Sequence, residues 1–231
     1  PPPAASAIPD PLPGAVTEAL PDAYLETPAG FAFIAALAAR AGAGRPGPVL
    51  LSLCEREFDF GLPNAAALAA AGVAPERILL VRAHDPGAAL WALEESARTR
   101  GIAAAVAAVL PDRAYGLLAS RRLTLAAERT DIPVLVLRRA GSRDQTAARS
   151  RWRVAGAAGE AAPFAGAAGL PGLCARRWRV TQERALGAPP SFEVEWNETA
   201  LRFDPPAALV RRADPDRDAG DRERTPRIRA A

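Results

Sequence analysis

The sequence predicts an α/β protein in which helices flank a mostly parallel sheet and antiparallel strands follow at the C-terminal side. Three observations carry that prediction. Strand-length apolar runs alternate with helix-length segments that open on capping residues and close on glycine. The connections between them are short, as right-handed crossovers in a parallel sheet require. Beyond Arg138 the apolar residues change from continuous runs to strict alternation.

The first helix reads from Thr27-Pro28, a capping Thr followed by Pro at the first helical position, through 29–41 with Phe31, Ile34, Leu37 and Ala38 on one face and Gly42 as stop. Residues 49–53 then form a short apolar run suited to a strand buried on both faces. Asn64 caps a helix over 65–71, and 78–81 reads as a second buried strand. Asp85-Pro86 opens a third helix, with Leu90, Trp91, Leu93 and Ala97 inward and Glu94, Glu95 and Arg98 outward. An apolar run over 102–110, a fourth helix over 115–130 and a strand over 133–137 complete the alternation. Beyond them, 151–154, 177–180 and 192–196 alternate with period two, and 201–203 is shorter; these read as half-exposed antiparallel strands. Residues 1–11 are expected to be a disordered Pro-rich terminus, 12–204 one folded domain, and 205–231 a disordered Arg/Asp/Pro-rich tail, with 155–171 as an Ala/Gly-rich mobile loop.

Composition removes several chemistries. All 29 basic residues are Arg, and there is no Lys. A phosphate-binding loop of the G-x-x-x-x-G-K-[ST] kind, a Schiff base and a Ser-Lys pair each need one. One His and two Cys far apart in sequence give neither a zinc site nor a disulfide framework, which points to the cytoplasm, and no apolar stretch is long enough to span a membrane. The net charge of +3 hides an asymmetry: 1–137 carries −3, 138–184 carries +7, 185–210 carries −3 and 211–231 carries +2.

Several clusters invite a functional reading beside a structural one. Cys54 and His84 lie just past strand ends, where α/β sheets bind ligands, and are the one pair able to supply a nucleophile and a base; against that reading, no hydrolase signature accompanies them, and a core thiol with a loop imidazole beside the Asp85 cap accounts for both. Glu55, Glu57 and Asp59 follow a strand and offer carboxylates for a magnesium ion, or form a solvated acidic loop. Arg121 and Arg122, near the start of the fourth helix, either meet an anionic partner or face solvent. The basic block is the stronger nucleic-acid candidate. With period two, Trp152 and Trp178 turn to the core while Arg151, Arg153, Arg177 and Arg179 line an outward basic surface for DNA or an acidic protein.

The order of elements resembles a RecA-type core, and more closely the ImuA family, RecA-like accessory proteins of bacterial error-prone translesion synthesis. The resemblance rests on Ala88-Ala89-Leu90-Trp91-Ala92-Leu93-Glu94-Glu95, on Ala119-Ser120-Arg121-Arg122-Leu123-Thr124-Leu125-Ala126-Ala127-Glu128, and on the paired Arg151-Trp152-Arg153-Val154 and Arg177-Trp178-Arg179-Val180 followed by Phe192-Glu193-Val194-Glu195-Trp196. It runs from about Leu12 to Phe203.

Where a recombinase keeps its phosphate loop, this chain reads Ala19-Leu20-Pro21-Asp22-Ala23-Tyr24-Leu25-Glu26-Thr27-Pro28-Ala29-Gly30, without the glycine frame, the Lys or the following Ser/Thr. The run over 102–110 ends without a carboxylate, leaving Asp112 as a late substitute for the magnesium shell. By resemblance, Glu55 is a relic of an activating glutamate, and Arg138 and Arg139 open a DNA-contacting loop over 140–148. The resemblance implies a non-enzymatic adaptor in SOS-induced mutagenesis that needs no cofactor or metal. Its partners would be an ImuB-like Y-family polymerase homologue, with an error-prone C-family polymerase, the recombinase filament and single-stranded DNA as further contacts. The alternative is a degenerate RecA-like ATPase acting on single-stranded DNA.

Overall fold

The computed structural model describes residues 8–159, 161–163, 171–183 and 191–206. Strand β1 (Val16–Pro21) leads through a 3-10 turn at Tyr24–Glu26 into helix α1 (Thr27–Gly42). Strand β2 (Val49–Cys54), helix α2 (Ala65–Ala70), strand β3 (Ile78–Ala83), helix α3 (Pro86–Arg98), strand β4 (Ala104–Leu110), helix α4 (Leu117–Glu128) and strand β5 (Val134–Arg138) follow. Strands β6 (Ser150–Gly156), β9 (Arg177–Gln182), β10 (Ser191–Asn197) and β11 (Arg202–Asp204) extend the sheet, while β7 (Ala161–Pro163) pairs with β8 (Pro171–Cys174) apart from it.

The nine-stranded sheet has the order β11-β10-β9-β6-β1-β5-β4-β2-β3. Strands β1 to β6 are mutually parallel where they pair, and β9, β10 and β11 are antiparallel. This is the expected mixed sheet with one difference, since β6 is parallel to β1 on one side and antiparallel to β9 on the other.

Local chemistry sets the helix starts. Asn64 Oδ1 accepts the N–H groups of Ala66 and Ala67, and the Asp85 carboxylate accepts that of Ala88, so both expected caps form. Thr27 instead lies inside α1 and donates its hydroxyl to Tyr24 O at 2.6 Å. A Cβ on Gly30 would meet Leu137 and Pro21 side chains at 3.0 Å, so the missing side chain lets α1 settle closely on the sheet.

Helix α1 covers one face. Its Phe33, Ile34 and Leu37 pack with Leu51, Leu53 and Leu135 and, across the extension, with Trp152, Trp178, Trp196 and Phe203. Trp178 Nε1–H donates to Ala29 O at 2.9 Å, satisfying the buried indole. Helices α3 and α4 cover the opposite face, where Leu90, Leu93 and Leu123 meet Val16, Leu110, Val134 and Val136.

Three expectations fail here. Strand β3 forms a sheet edge, so Leu79 and Leu80 are exposed instead of buried on both faces. Trp91 points outward and is 65% exposed, because α3 buries the side carrying Leu90, Leu93 and Ala97. Ile8 is buried in the core, so ordered packing begins inside the stretch read as a disordered terminus. Residues 1–7, most of the 205–231 tail and much of the 155–171 loop lie outside the described residues.

Candidate functional site

Every parallel strand of an α/β sheet delivers its C-terminal end toward a common crevice. Here the β1–α1 connection that borders it is filled by the chain's own side chains. Pro21 packs against Gly30. Glu26, immediately before α1, places its carboxylate on the N–H of Gly156 at 2.8 Å. An anion approaching this helix start meets that carboxylate. Beside it, Tyr24 and Phe60 pack as tilted rings with centroids 5.1 Å apart, Phe31 and Phe58 likewise at 5.4 Å, and Phe58 meets Phe60 edge-on at 6.1 Å. Phe31, Phe58 and Phe60 border a cavity of about 300 Å³ with Leu68 and Arg176 on its wall.

The candidate nucleophile and base do not meet. The Cys54 thiol is buried in the apolar cluster under α3, and desolvation pushes its pKa up, away from the reactive thiolate. The His84 side chain is 79% exposed and its Nε2 lies 2.8 Å from Asp85. Each carboxylate of the acidic loop is engaged by another element: Glu55 pairs with Arg82, Glu57 with Arg113 and Arg139, and Asp59 accepts from Tyr24 Oη–H. Among the described residues no group of three His, Cys, Asp or Glu side chains is placed to hold a metal ion.

A buried charge network, absent from the sequence reading, sits under the α4 side of the sheet. Glu18, fully buried in β1, accepts from Arg151 Nε at 2.8 Å, and its Oε2 lies 3.7 Å from an Arg138 terminal nitrogen. Arg138 is also fully buried and pairs with Asp112, while donating to Asp144 O at 3.0 Å. Arg151 donates further to Thr146 Oγ1 at 2.8 Å. Tyr115 completes the cluster, with the Arg138 guanidinium 5.8 Å from its ring centroid. Burial, reinforced by the neighbouring Glu18 charge, pushes its phenol well above the usual range and keeps it neutral. The one sequence signal for this network was a Glu set within the apolar run of β1.

That network changes the account of Asp112 and of the loop over 140–148. Asp112 Oδ2 accepts the N–H of Arg143 at 3.0 Å, so the carboxylate binds protein donors instead of standing open for a metal shell. Burial works to raise its pKa, but the Arg143 N–H, the Ser142 hydroxyl and Arg138 outweigh burial and hold it below the usual carboxylate range. The loop is strapped down by both Arg138 and Arg151.

The basic strands are placed as predicted and neutralised in a way not predicted. Arg151, Arg153, Arg177 and Arg179 do share one side of the sheet, opposite Trp152 and Trp178. They do not form an open basic surface. Arg151 is buried on Glu18, Arg177 is buried and donates to Glu195 at 2.9 Å, and Arg153 pairs with Glu183. Arg179 alone of the four is exposed, and it lies opposite Glu193 in the β9–β10 register. The physical reason is cross-strand alternation: Glu193 and Glu195, on a strand outside the basic block, come into register with that block's arginines. Of the other candidates, Arg138 is buried, Arg139 is exposed and 3.4 Å from Glu57, Arg122 bonds Glu94 at 3.0 Å, and Arg121 is exposed.

What the fold and this region define is a mixed α/β domain whose β1–α1 connection is closed by Pro21 and Glu26. By sequence it is similar to curated ImuA proteins. Protein ImuA of Caulobacter vibrioides, strain NA1000 / CB15N, and the same protein of strain ATCC 19089 / CIP 103742 / CB 15 are each 37% identical to it over 146 residues, covering 58% of this chain and 55% of the relative. The chain thus spans about half the length of the curated relatives it matches. No family model matches it. Among solved structures, SulA from Pseudomonas aeruginosa shows a slight likeness, with a TM-score of 0.39 and 22% identity, covering 53% of this chain and 97% of that one. No described helix is long and apolar enough to cross a membrane.

Proposed function

We propose that this chain is a non-catalytic RecA-like adaptor in SOS-induced, error-prone translesion synthesis, acting in the cytoplasm by contact with an ImuB-like Y-family polymerase homologue. Contacts with an error-prone C-family polymerase, the recombinase filament or single-stranded DNA belong to the same reading. Kinship to Protein ImuA supports the mutagenesis setting. The observation that carries the non-catalytic part is the Glu26 carboxylate at the start of α1, bonded to Gly156 where a phosphate-binding loop would present open N–H groups. The absence of any Lys removes the usual partner of the β/γ-phosphates as well.

Thermal unfolding in the presence of ATP and magnesium tests this directly. The expected result is an unchanged midpoint with nucleotide and a stable complex with the polymerase homologue. A magnesium-dependent upward shift would instead revive the ATPase reading. Single-stranded DNA added at low and physiological salt reports whether nucleic acid is a direct ligand, since phosphate contacts weaken steeply with salt.

A further inference from the structure

The outer side of helices α3 and α4 carries what solvent-facing helices normally lack. Trp91 is 65% exposed on α3, and Leu117, Leu118 and Leu125 on α4 are 53%, 78% and 54% exposed. Both helices follow parallel strands and so run in the same direction. The Arg122–Glu94 bond at 3.0 Å fixes their relative level. One turn toward the N-terminus from that bond stand Trp91 and Leu118, and nearly one turn beyond it stands Leu125. The four apolar side chains therefore form one patch across two helices, including an indole of the kind that anchors protein interfaces.

Arg121 sits between them, one turn from Leu117, Leu118 and Leu125. It is exposed and forms no ion pair among the described residues, whereas neighbouring Arg122 bonds Glu94 and Arg98 bonds Glu95. A free guanidinium inside an apolar patch favours a partner that brings a carboxylate flanked by apolar side chains. A second copy docked symmetrically would bring a second Arg121 toward the first. The phosphates of a nucleic acid would have to lie against three leucines.

We infer that the α3–α4 outer surface is a docking site for an amphipathic helix of a protein partner, with apolar side chains at three- and four-residue spacing and an acidic residue placed on Arg121. This rests on the adaptor reading above and gives it a location.

The test is titration of the purified full chain with the purified polymerase homologue, comparing wild type, the Trp91→Ser/Leu118→Ser double variant and Arg121→Glu, with Leu79→Ser at the β3 edge as control. The expected result is at least tenfold weaker binding for the double variant, weaker binding for Arg121→Glu with a deficit that shrinks at high salt, and wild-type binding for Leu79→Ser. Unchanged thermal midpoints certify that the variants fold, and Arg121→Glu serves alone should the double variant not. Wild-type binding that survives undiminished in both variants overturns the docking site and leaves the adaptor reading intact. No binding by wild type overturns the adaptor reading and the docking site with it. Self-association in sedimentation that Leu118→Ser abolishes, or single-stranded DNA binding that it abolishes, also overturns the inference by naming a different occupant.

Discussion

The outward side of β6, β9 and β10 and the outward side of α3 and α4 differ in a direction opposite to their sequences. The strands belong to the most basic segment of the chain, yet Arg151, Arg153 and Arg177 are each held by a carboxylate. The helices carry no comparable charge excess, yet they leave a Trp and three Leu in solvent around Arg121, which forms no ion pair among the described residues. Segment charge adds residues that are neighbours along the chain, whereas a partner meets residues that are neighbours in space. Glu195 comes from outside the basic block and Glu18 from more than a hundred residues upstream, and together they convert a basic surface into a framework of ion pairs.

The strongest way to break this contrast is at Glu18. Glu18→Gln removes the charge that serves two buried arginines, and about 3–5 kcal/mol of stability should be lost, measured by urea unfolding. If the loss is negligible, the network is not the structural element assigned here. A similar loss, about 3–5 kcal/mol, is expected for Trp178→Ala, which empties a site between Phe33 and Phe203 and frees Ala29 O. Trp91→Ala, the same change on the exposed helix surface, should stay within about 0.5 kcal/mol. Equal effects at the two tryptophans would erase the distinction between core and surface.

Smaller effects sharpen the comparison within the strands. Arg177→Ala should cost about 1.5–3 kcal/mol by breaking the charged hydrogen bond to Glu195. Arg179→Ala should cost no more than about 0.5 kcal/mol, because its guanidinium is exposed. Binding defects on reversing Arg177 would therefore need a folding control, while those on reversing Arg179 would report the surface itself.

Acid offers a gentler probe. Asp112 binds its proton less readily in the folded chain than in the unfolded one. Its contribution to stability is therefore full above its unfolded pKa, near 3.9, and is lost as pH falls through the lower folded value. The stability gap between wild type and Asp112→Asn should narrow as the medium is acidified below about pH 4, by calorimetry. A gap that widened there would reverse the assigned direction.

The sequence by itself determined the helices, two of their caps and most strands, because periodicity, Asn64, Asp85 and the apolar runs act over a few neighbouring residues. It also determined the inward set of Trp152 and Trp178, since alternation along a strand fixes which residues share a side. The missing phosphate-loop residues were legible for the same local reason. Only the tertiary structure decided that β3 would be an edge, that α3 would turn Trp91 outward, and that Glu18, Arg138 and Arg151 would meet under the sheet. Those outcomes depend on strand order and register, which bring residues far apart in the chain within bonding distance. No local pattern encodes them, because the partner that neutralises a charge or covers a ring is supplied by another element.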